Sequence, residues 1–239
     1  CYPLMGAGLS FPDALFEAVS GGTTTGLSTI RSTEGMPGTF LFARTWMQWY
    51  GGLGIVILTL ALLFRPGLPA KRFTVTEAVQ DDLVGGTRAF ARRVLKIYLL
   101  LSGAGFLLLC LAGAGPFEAL LYTLAAVSTG GFAPHDGSLA ALEGWAAPVA
   151  VILICIAGAV PLAFHYRWRE KERRSATDGL QFRWLFLLGG MGSVVLVLCM
   201  ATTADDLPWR HALYHAPLLA FSAQTTAGFS TLDPGGLHD

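Results

Sequence analysis

Three short tracts of small polar residues, each built around a glycine, recur along the chain and carry its most distinctive chemistry. Tract one is Thr23–Thr29 (TTTGLST), tract two is Ser128–Phe132 (STGGF) and tract three is Thr225–Thr231 (TTAGFST). Gly26 and Gly131 are 105 residues apart and Gly131 and Gly228 are 97 apart, which predicts a repeated unit. Carbonyls that replace water around a cation must point the same way, and glycine adopts the required conformations cheaply. The tracts therefore predict a carbonyl-lined cation filter.

Backbone carbonyls of the tracts are the candidate ligands, and potassium is the candidate ion. The predicted site residues are Thr24, Thr25, Gly26, Thr129, Gly130, Gly131, Thr225, Thr226, Ala227 and Gly228. Potassium suits such a site because its hydration shell is held more loosely than that of sodium. The threonine hydroxyls either coordinate the ion or brace the loop. In the alternative interpretation each tract is a Thr/Gly-rich turn between helices, which three matching tracts make the weaker hypothesis.

The composition indicates an integral membrane protein. Hydrophobic residues make up 53% of the chain and charged residues 13%, against roughly 25% charged in an ordinary soluble domain. The net charge is zero, so nothing favours nucleic acid as a partner. The predicted spans are Met47–Phe64, Val94–Ala114, Ala147–Phe164 and Trp184–Ala204. Each approaches or exceeds the roughly 18 apolar residues that cross a bilayer, which predicts a multi-pass protein of the plasma membrane with lipid around it.

Basic residues predict how the chain is oriented. Two segments between spans hold 13 of the 16 lysines and arginines: Arg65, Lys71, Arg72, Arg88, Arg92, Arg93 and Lys96 in one, and Arg167, Arg169, Lys171, Arg173, Arg174 and Arg183 in the other. Loops rich in lysine and arginine stay on the cytoplasmic side. The three tracts then lie together on the opposite side of the membrane.

The spans and tracts combine into one repeated structural unit. The middle unit is predicted to contain a span, a short apolar segment Phe117–Val127, tract two and a second span. The outer units are incomplete and keep the short segments Phe11–Ser20 and His211–Gln224. Segments this short dip into a membrane rather than cross it. Irregular backbone at membrane depth is tolerated where protein buries it or water fills the space beside it. Short helices that point inward also direct their negative C-terminal ends at the shared axis, which favours a cation.

The predicted fold class is an all-α integral membrane protein with repeated helix–pore-loop–helix units around an ion path. The expected divisions are repeat one at 1–66, a cytoplasmic loop at 67–93, repeat two at 94–166, a second cytoplasmic loop at 167–183 and repeat three at 184–239.

These motifs resemble the Trk/Ktr/HKT superfamily of potassium transporters, and most closely the bacterial Trk type. The resemblance lies in the three tracts, in Arg44 followed by Gln48–Ile55 (QWYGGLGI) at the start of a second helix, and more weakly in His135-Asp136 after tract two. It implies four helix–pore-loop–helix repeats around one path, with one glycine per filter strand. Glycine in the first filter goes with potassium preference in this superfamily, so Gly26 implies potassium as the transported ion.

The resemblance also sets further expectations. It implies a homodimer and a ring of nucleotide-binding regulatory subunits docked on the cytoplasmic face, and it implies no cofactor. The fourth repeat, the glycine-rich break in the second helix of repeat three and the pore-facing arginine of repeat four are absent from this sequence. We therefore expect that this chain alone does not conduct and is a fragment or truncated product. The alternative is a non-conducting accessory subunit; an enzyme is not expected, because no catalytic motif is present.

Three acidic residues lie in or near the short apolar segments. Asp13, Glu17 and Glu118 either concentrate cations at the outer mouth of the path or are helix-start acids and solvated surface. The sequence leaves both interpretations open.

Overall fold

The computed structural model describes residues 8–63, 87–160, 176–203 and 209–232. The helices are α1 (Phe11–Gly22), α2 (Gly38–Leu63), α3 (Thr87–Leu111), α4 (Pro116–Val127), α5 (Ala146–Ala159), α6 (Ala176–Thr203) and α7 (Trp209–Gln224), with a single 3-10 turn at Ser138–Ala141. These ranges contain helices and loops and no strand. The predicted all-α fold class is confirmed.

Local sequence signals set where the short helices begin. Ser10 caps α1: its hydroxyl accepts a hydrogen bond from the Asp13 amide at 3.4 Å, and a proline follows in the first turn. Pro116 opens α4, where its missing amide hydrogen would have had no helical partner. Asp13 and Glu118 lie in the first turns of α1 and α4, where the positive end of the helix dipole favours a carboxylate.

The helices form three units that contact each other in chain order. Unit one contains α1 and α2, unit two contains α3, α4 and α5, and unit three contains α6 and α7. Between units, α2 packs against α4 and α5 packs against α7. The helix that follows the tract in one unit therefore touches the short helix of the next unit. The short helix α4 lies at the centre, with eight of its twelve residues buried.

Two long helices present apolar surfaces outward. Arg92–Leu111 within α3 and Arg183–Thr202 within α6 are long and apolar enough to cross a membrane, and little of either is buried. Leu107 and Leu111 on α3, and Met191 and Leu198 on α6, are more than half exposed. Exposed apolar surface of this extent fits contact with lipid.

Predicted and observed helices differ mainly at their ends. The first predicted span corresponds to α2, which begins nine residues earlier at Gly38. The third corresponds to α5, which is described over 14 residues; residues 161–164 of that span lie outside the described residues. Most of the two basic loops at 67–93 and 167–183 also lies outside them. The predicted divisions of the chain into repeats and loops stay a prediction.

Glycines let a long helix approach the end of the short helix in its own unit. A Cβ on Gly51 of α2 would lie 2.1 Å from the carbonyl oxygen of Gly22, the last residue of α1. A Cβ on Gly158 of α5 would lie 2.5 Å from the carbonyl oxygen of Val127, the last residue of α4. The same contact thus recurs in units one and two, and it fixes how far each short helix stands from the helix beside it.

This packing gives a testable expectation for two glycines on one helix. We expect Gly51→Ala to lower the free energy of unfolding by about 1–3 kcal/mol, because the methyl group would displace the backbone of α1. The control is Gly54→Ala: a Cβ there meets nothing within 4 Å, so the change should be neutral or stabilise by up to about 1 kcal/mol. Thermal unfolding of the detergent-solubilised protein measures both, and equal effects would contradict the contact.

Candidate ion-binding site

Each tract follows a short helix directly and ends that helix in the same way. A threonine lies two residues before each tract glycine, and its amide donates to the carbonyl three residues earlier at 3.0–3.1 Å. The donor–acceptor pairs are Thr24–Gly21, Thr129–Ala126 and Thr226–Ala223. The amide of the next residue donates to the carbonyl five residues earlier at 2.8–3.0 Å, in the pairs Thr25–Ser20, Gly130–Ala125 and Ala227–Ser222. This is the Schellman ending of a helix, in which glycine normally occupies the left-handed position. Here a threonine occupies it in all three tracts.

The sign of φ alternates along each tract. Thr24, Thr129 and Thr226 have φ angles of 56°, 50° and 59°, and two residues later the glycines have angles of 79°, 82° and 73°. The residue between them has a negative φ in each case. A strand in which left-handed residues alternate with residues of negative φ can turn successive carbonyls toward the same side, as a carbonyl-lined filter requires. A left-handed threonine costs roughly 1–2 kcal/mol, and such strain is concentrated at functional sites.

The three tracts lie side by side in chain order. A Cβ on Gly26 would lie 2.2 Å from the carbonyl oxygen of Gly130, and a Cβ on Gly131 would lie 1.9 Å from that of Ala227. Each glycine therefore faces the carbonyl before the glycine of the next tract. A Cβ on Gly228 would meet no described residue within 4 Å. The structure thus brings all the predicted site residues of the three tracts into one cluster.

The first hydroxyl of each tract braces the end of its helix. Thr23, Ser128 and Thr225 donate to the carbonyls four residues earlier, at 2.7, 2.9 and 2.8 Å. At Thr225, a predicted site residue, the hydroxyl therefore has a bracing role while its carbonyl remains the candidate ligand. The C-terminal ends of the three short helices, which carry partial negative charge, lie at the start of the tracts.

Side chains hold the residues on either side of the tract glycines, and they do so in two different ways. The Ser20 hydroxyl donates to the Leu27 carbonyl at 2.5 Å, and the Ser222 hydroxyl donates to the Phe229 carbonyl at 2.7 Å. Both serines belong to the short helix of the same unit. The matching position in unit two is Ala125, which has no hydroxyl.

Gln48 of α2 braces tract two from the neighbouring unit. Its Nε2 donates to the Gly130 carbonyl at 2.6 Å, and its Oε1 accepts the Phe132 amide hydrogen at 3.1 Å. The side chain is fully buried, and a Cβ on Gly130 would lie 2.4 Å from the Gln48 amide carbon. The predicted ligand carbonyl of Gly130 is therefore also the acceptor for Gln48.

An ion pair lies behind tract one. Glu17 and Arg44 are 0% and 3% exposed and are 3.2 Å apart. The Glu17 carboxylate accepts hydrogen bonds from the Ser28 hydroxyl and the Thr29 amide, both at 2.7 Å. Both sequence interpretations of Glu17, as a cation-concentrating acid or as solvated surface, are wrong, because the carboxylate anchors the outgoing half of tract one.

The other two acids near the short helices have local partners. The Asp13 carboxylate accepts from the Ser10 hydroxyl at 2.5 Å, as expected for an acid at a helix start. Glu118 contacts His135 at 2.8 Å, and His135 also lies 3.5 Å from Glu34. Glu118 therefore joins α4 to the loop that follows tract two.

The loops that follow the three tracts are joined to one another. Asp136 accepts hydrogen bonds from the Ser32 hydroxyl at 2.5 Å and from the Thr33 amide and hydroxyl at 2.6 and 2.8 Å. The Leu139 amide donates to the Ser230 carbonyl at 2.8 Å. The segments after tracts one, two and three are thus connected in the same order as the tracts.

The Asp136 contacts predict a dependence on pH. Desolvation raises the pKa of this carboxyl, but hydrogen bonds from Ser32 and Thr33 and the nearby His135 outweigh it and hold the pKa below its usual value. A carboxyl with a lowered pKa in the folded state stabilises the fold above its unfolded pKa, and this contribution is lost as the pH falls through the folded pKa.

We therefore expect Asp136→Asn to lower the unfolding temperature near neutral pH, and we expect this difference to shrink as the pH falls below about 4, the ordinary pKa of an aspartate, and through the lower pKa of the folded carboxyl. Unfolding temperatures of both proteins across this range measure the difference. Glu143→Gln, a change at an exposed carboxylate in the same loop, is the control. A difference between Asp136→Asn and the native protein that does not shrink in acid would contradict the expectation.

Comparison with known proteins agrees with this geometry. The family model described as TrkH, cation transport protein, matches residues 2–239. The Trk system potassium uptake protein TrkH of Halomonas elongata is 33% identical over 251 residues, covering 98% of this chain and 51% of the relative. An uncharacterized cation transporter of Methanocaldococcus jannaschii is 28% identical over 228 residues, covering 95% of this chain and 45% of that protein.

A solved structure has the same fold. The crystal structure of the potassium transporter TrkH from Vibrio parahaemolyticus matches with a TM-score of 0.79 at 26% identity, over 95% of this chain and 46% of that one. This chain thus spans about half the length of the relatives it matches. The resemblance to the bacterial Trk type that the tract motifs predict is confirmed, and the chain belongs to the TrkH family of cation transport proteins.

Proposed function

We propose that the protein takes up potassium across the plasma membrane through a filter lined by the backbone carbonyls of the three tracts. The observation that carries the proposal is the repeated sign change of φ at Thr24–Gly26, Thr129–Gly131 and Thr226–Gly228. An ordinary turn needs one left-handed residue, usually glycine. Two left-handed residues with one residue of negative φ between them, in three neighbouring strands, fit a stack of inward carbonyls.

Electrostatics supports a cation as the transported species. Three helix C-terminal ends lead into the cluster of tracts, and each carries roughly half a negative charge. Backbone carbonyls add partial negative charge and leave no fixed full charge that would trap the ion. In the superfamily that the tract motifs resemble, glycine in the first filter goes with potassium preference, which Gly26 matches. Two of the matched relatives are named for potassium uptake or potassium transport.

The family resemblance implies a fourth wall around the path, and the described residues leave one side of the cluster open for it. Gly26 and Gly131 each face a carbonyl of the next tract, whereas no described residue lies within 4 Å in the same direction from Gly228. We propose that a further tract occupies this side in the working transporter. The three walls described here would then be three quarters of the filter.

The remaining proposals concern topology and partners. A multi-pass arrangement, with the basic loops in the cytoplasm and the tracts on the outer side, follows from the distribution of lysine and arginine. A homodimer and nucleotide-binding regulatory subunits on the cytoplasmic face are expectations from the family resemblance.

Substitution of Gly131 tests the filter. We expect Gly131→Ser to reduce the ratio of rubidium to sodium uptake by at least about tenfold, because the new side chain adds left-handed strain of roughly 1–2 kcal/mol and meets the Ala227 carbonyl. Uptake is measured with the native protein as part of the working transporter, with the proposed fourth tract present, in a bacterial strain that lacks its own potassium uptake systems.

Gly144→Ala is the matched control for strain alone. Gly144 has a φ of 75°, and a Cβ there meets nothing within 4 Å, so the uptake ratio should not change. An unchanged ratio for Gly131→Ser would overturn the assignment of tract two as a filter wall. No rubidium uptake by the native protein would favour the accessory-subunit alternative instead.

A further inference from the structure

The three tracts share one backbone conformation but not one bracing scheme, and this difference points to a specific residue. In units one and three, a serine of the short helix holds the carbonyl of the residue after the tract glycine, through Ser20 and Ser222. Unit two has Ala125 at this position. Its tract has the same left-handed strain without the hydroxyl that supports the other two.

We infer that Gln48 is the positioning residue that sets ion selectivity at tract two, in place of the missing serine. This inference rests on the proposed potassium filter. Gln48 holds the residues on both sides of Gly131: it donates to the carbonyl of Gly130 and accepts from the amide of Phe132. The peptide groups that flank the filter glycine are therefore fixed by a side chain from another unit.

Burial makes this brace strong. Gln48 is 0% exposed, so a lost partner would leave an unsatisfied polar group without water to replace it. Its Nε2 also controls where the Gly130 carbonyl points, and that oxygen lies against Gly26 of tract one. A displaced Gly130 carbonyl would change the spacing between the first and second walls, which is the spacing that a dehydrated ion meets.

The neighbouring turn of α2 keeps the brace in place. Arg44, four residues before Gln48, pairs with Glu17 and lies with its guanidinium carbon 4.1 Å from the centre of the Phe132 ring. Trp49, the next residue, donates from its indole to the Ser102 hydroxyl at 2.9 Å. The rotation of α2 about its axis is therefore fixed on both sides of Gln48, as a positioning residue requires.

The decisive variant is Gln48→Met, which keeps the length of the side chain and removes both hydrogen bonds. We expect the ratio of rubidium to sodium uptake by this variant to be about tenfold lower than that of the native protein, the scale of a buried hydrogen bond. We also expect faster hydrogen exchange of the amides in residues 130–132, because the Phe132 amide loses its acceptor. The exchange measurement uses the purified protein and does not depend on transport.

Two further variants separate positioning from a general loss of structure. Thr45→Val removes a buried hydroxyl from the same helix, whose partners among the described residues are the Leu41 and Phe42 carbonyls. It should leave the uptake ratio and the exchange at 130–132 unchanged. Ala125→Ser, added to Gln48→Met, supplies unit two with the serine of the other units. This double variant should recover part of the lost selectivity.

The outcomes separate the inference from the proposed function. Native selectivity and native exchange rates in Gln48→Met would overturn the inference while the potassium filter stands. Failure of the native protein to take up rubidium would overturn the filter, and with it any role of Gln48 in selectivity. If Gln48→Met does not reach the membrane, Gln48→Leu decides: its smaller side chain likewise has no donor for Gly130 and no acceptor for Phe132, so an unchanged uptake ratio would equally overturn the inference.

Discussion

A left-handed threonine at the end of each short helix is the constraint on which the described fold depends. Three such residues, each followed two positions later by a left-handed glycine, hold a conformation that an isolated chain would leave, at a combined cost of a few kcal/mol. The surroundings must therefore over-determine the backbone. They do so with helix-end hydrogen bonds, hydroxyl braces and the close approach of long helices through Gly51 and Gly158.

Helix α2 serves two tracts at once. One of its faces carries Arg44, which reaches tract one through Ser28 and Glu17, and Gln48, which reaches tract two. One turn further along, Gly51 contacts the end of α1, and a Cβ on the adjacent Gly52 would lie 3.1 Å from that of Ser128. The wall between the first two units is thus a single helix rather than a meeting of two independent modules.

The sequence predicted the periodic and local features well. Apolar runs of defined length predicted the short helices, because helices depend on residues close together in the chain. The clustering of the tracts was predicted from their recurrence along the sequence. The threonines as left-handed residues could not be predicted, since threonine disfavours that conformation and only tertiary contacts enforce it. Asp136 was noted as part of a motif, but its bonds to Ser32 and Thr33 join residues more than a hundred positions apart.

Glu17 shows that the role of a charged residue cannot be assigned from sequence when its burial is unknown. An acid in a short amphipathic helix is usually solvated, and its partner Arg44 lies 27 residues away on another helix. A signal was present nonetheless. Arginine and glutamine four residues apart at the start of an apolar span are costly in a membrane, which marks them as interior and functional.

The Gln48 contact has a consequence for how such repeated proteins evolve. A tract supported by a serine of its own helix can be copied, moved or replaced as one module. Tract two cannot, because its support is encoded 82 residues earlier, in the preceding unit. With Ala125 in its own short helix and Gln48 in the preceding unit, tract two depends on residues of both units. The internal symmetry visible in the backbone thus conceals units that are no longer interchangeable.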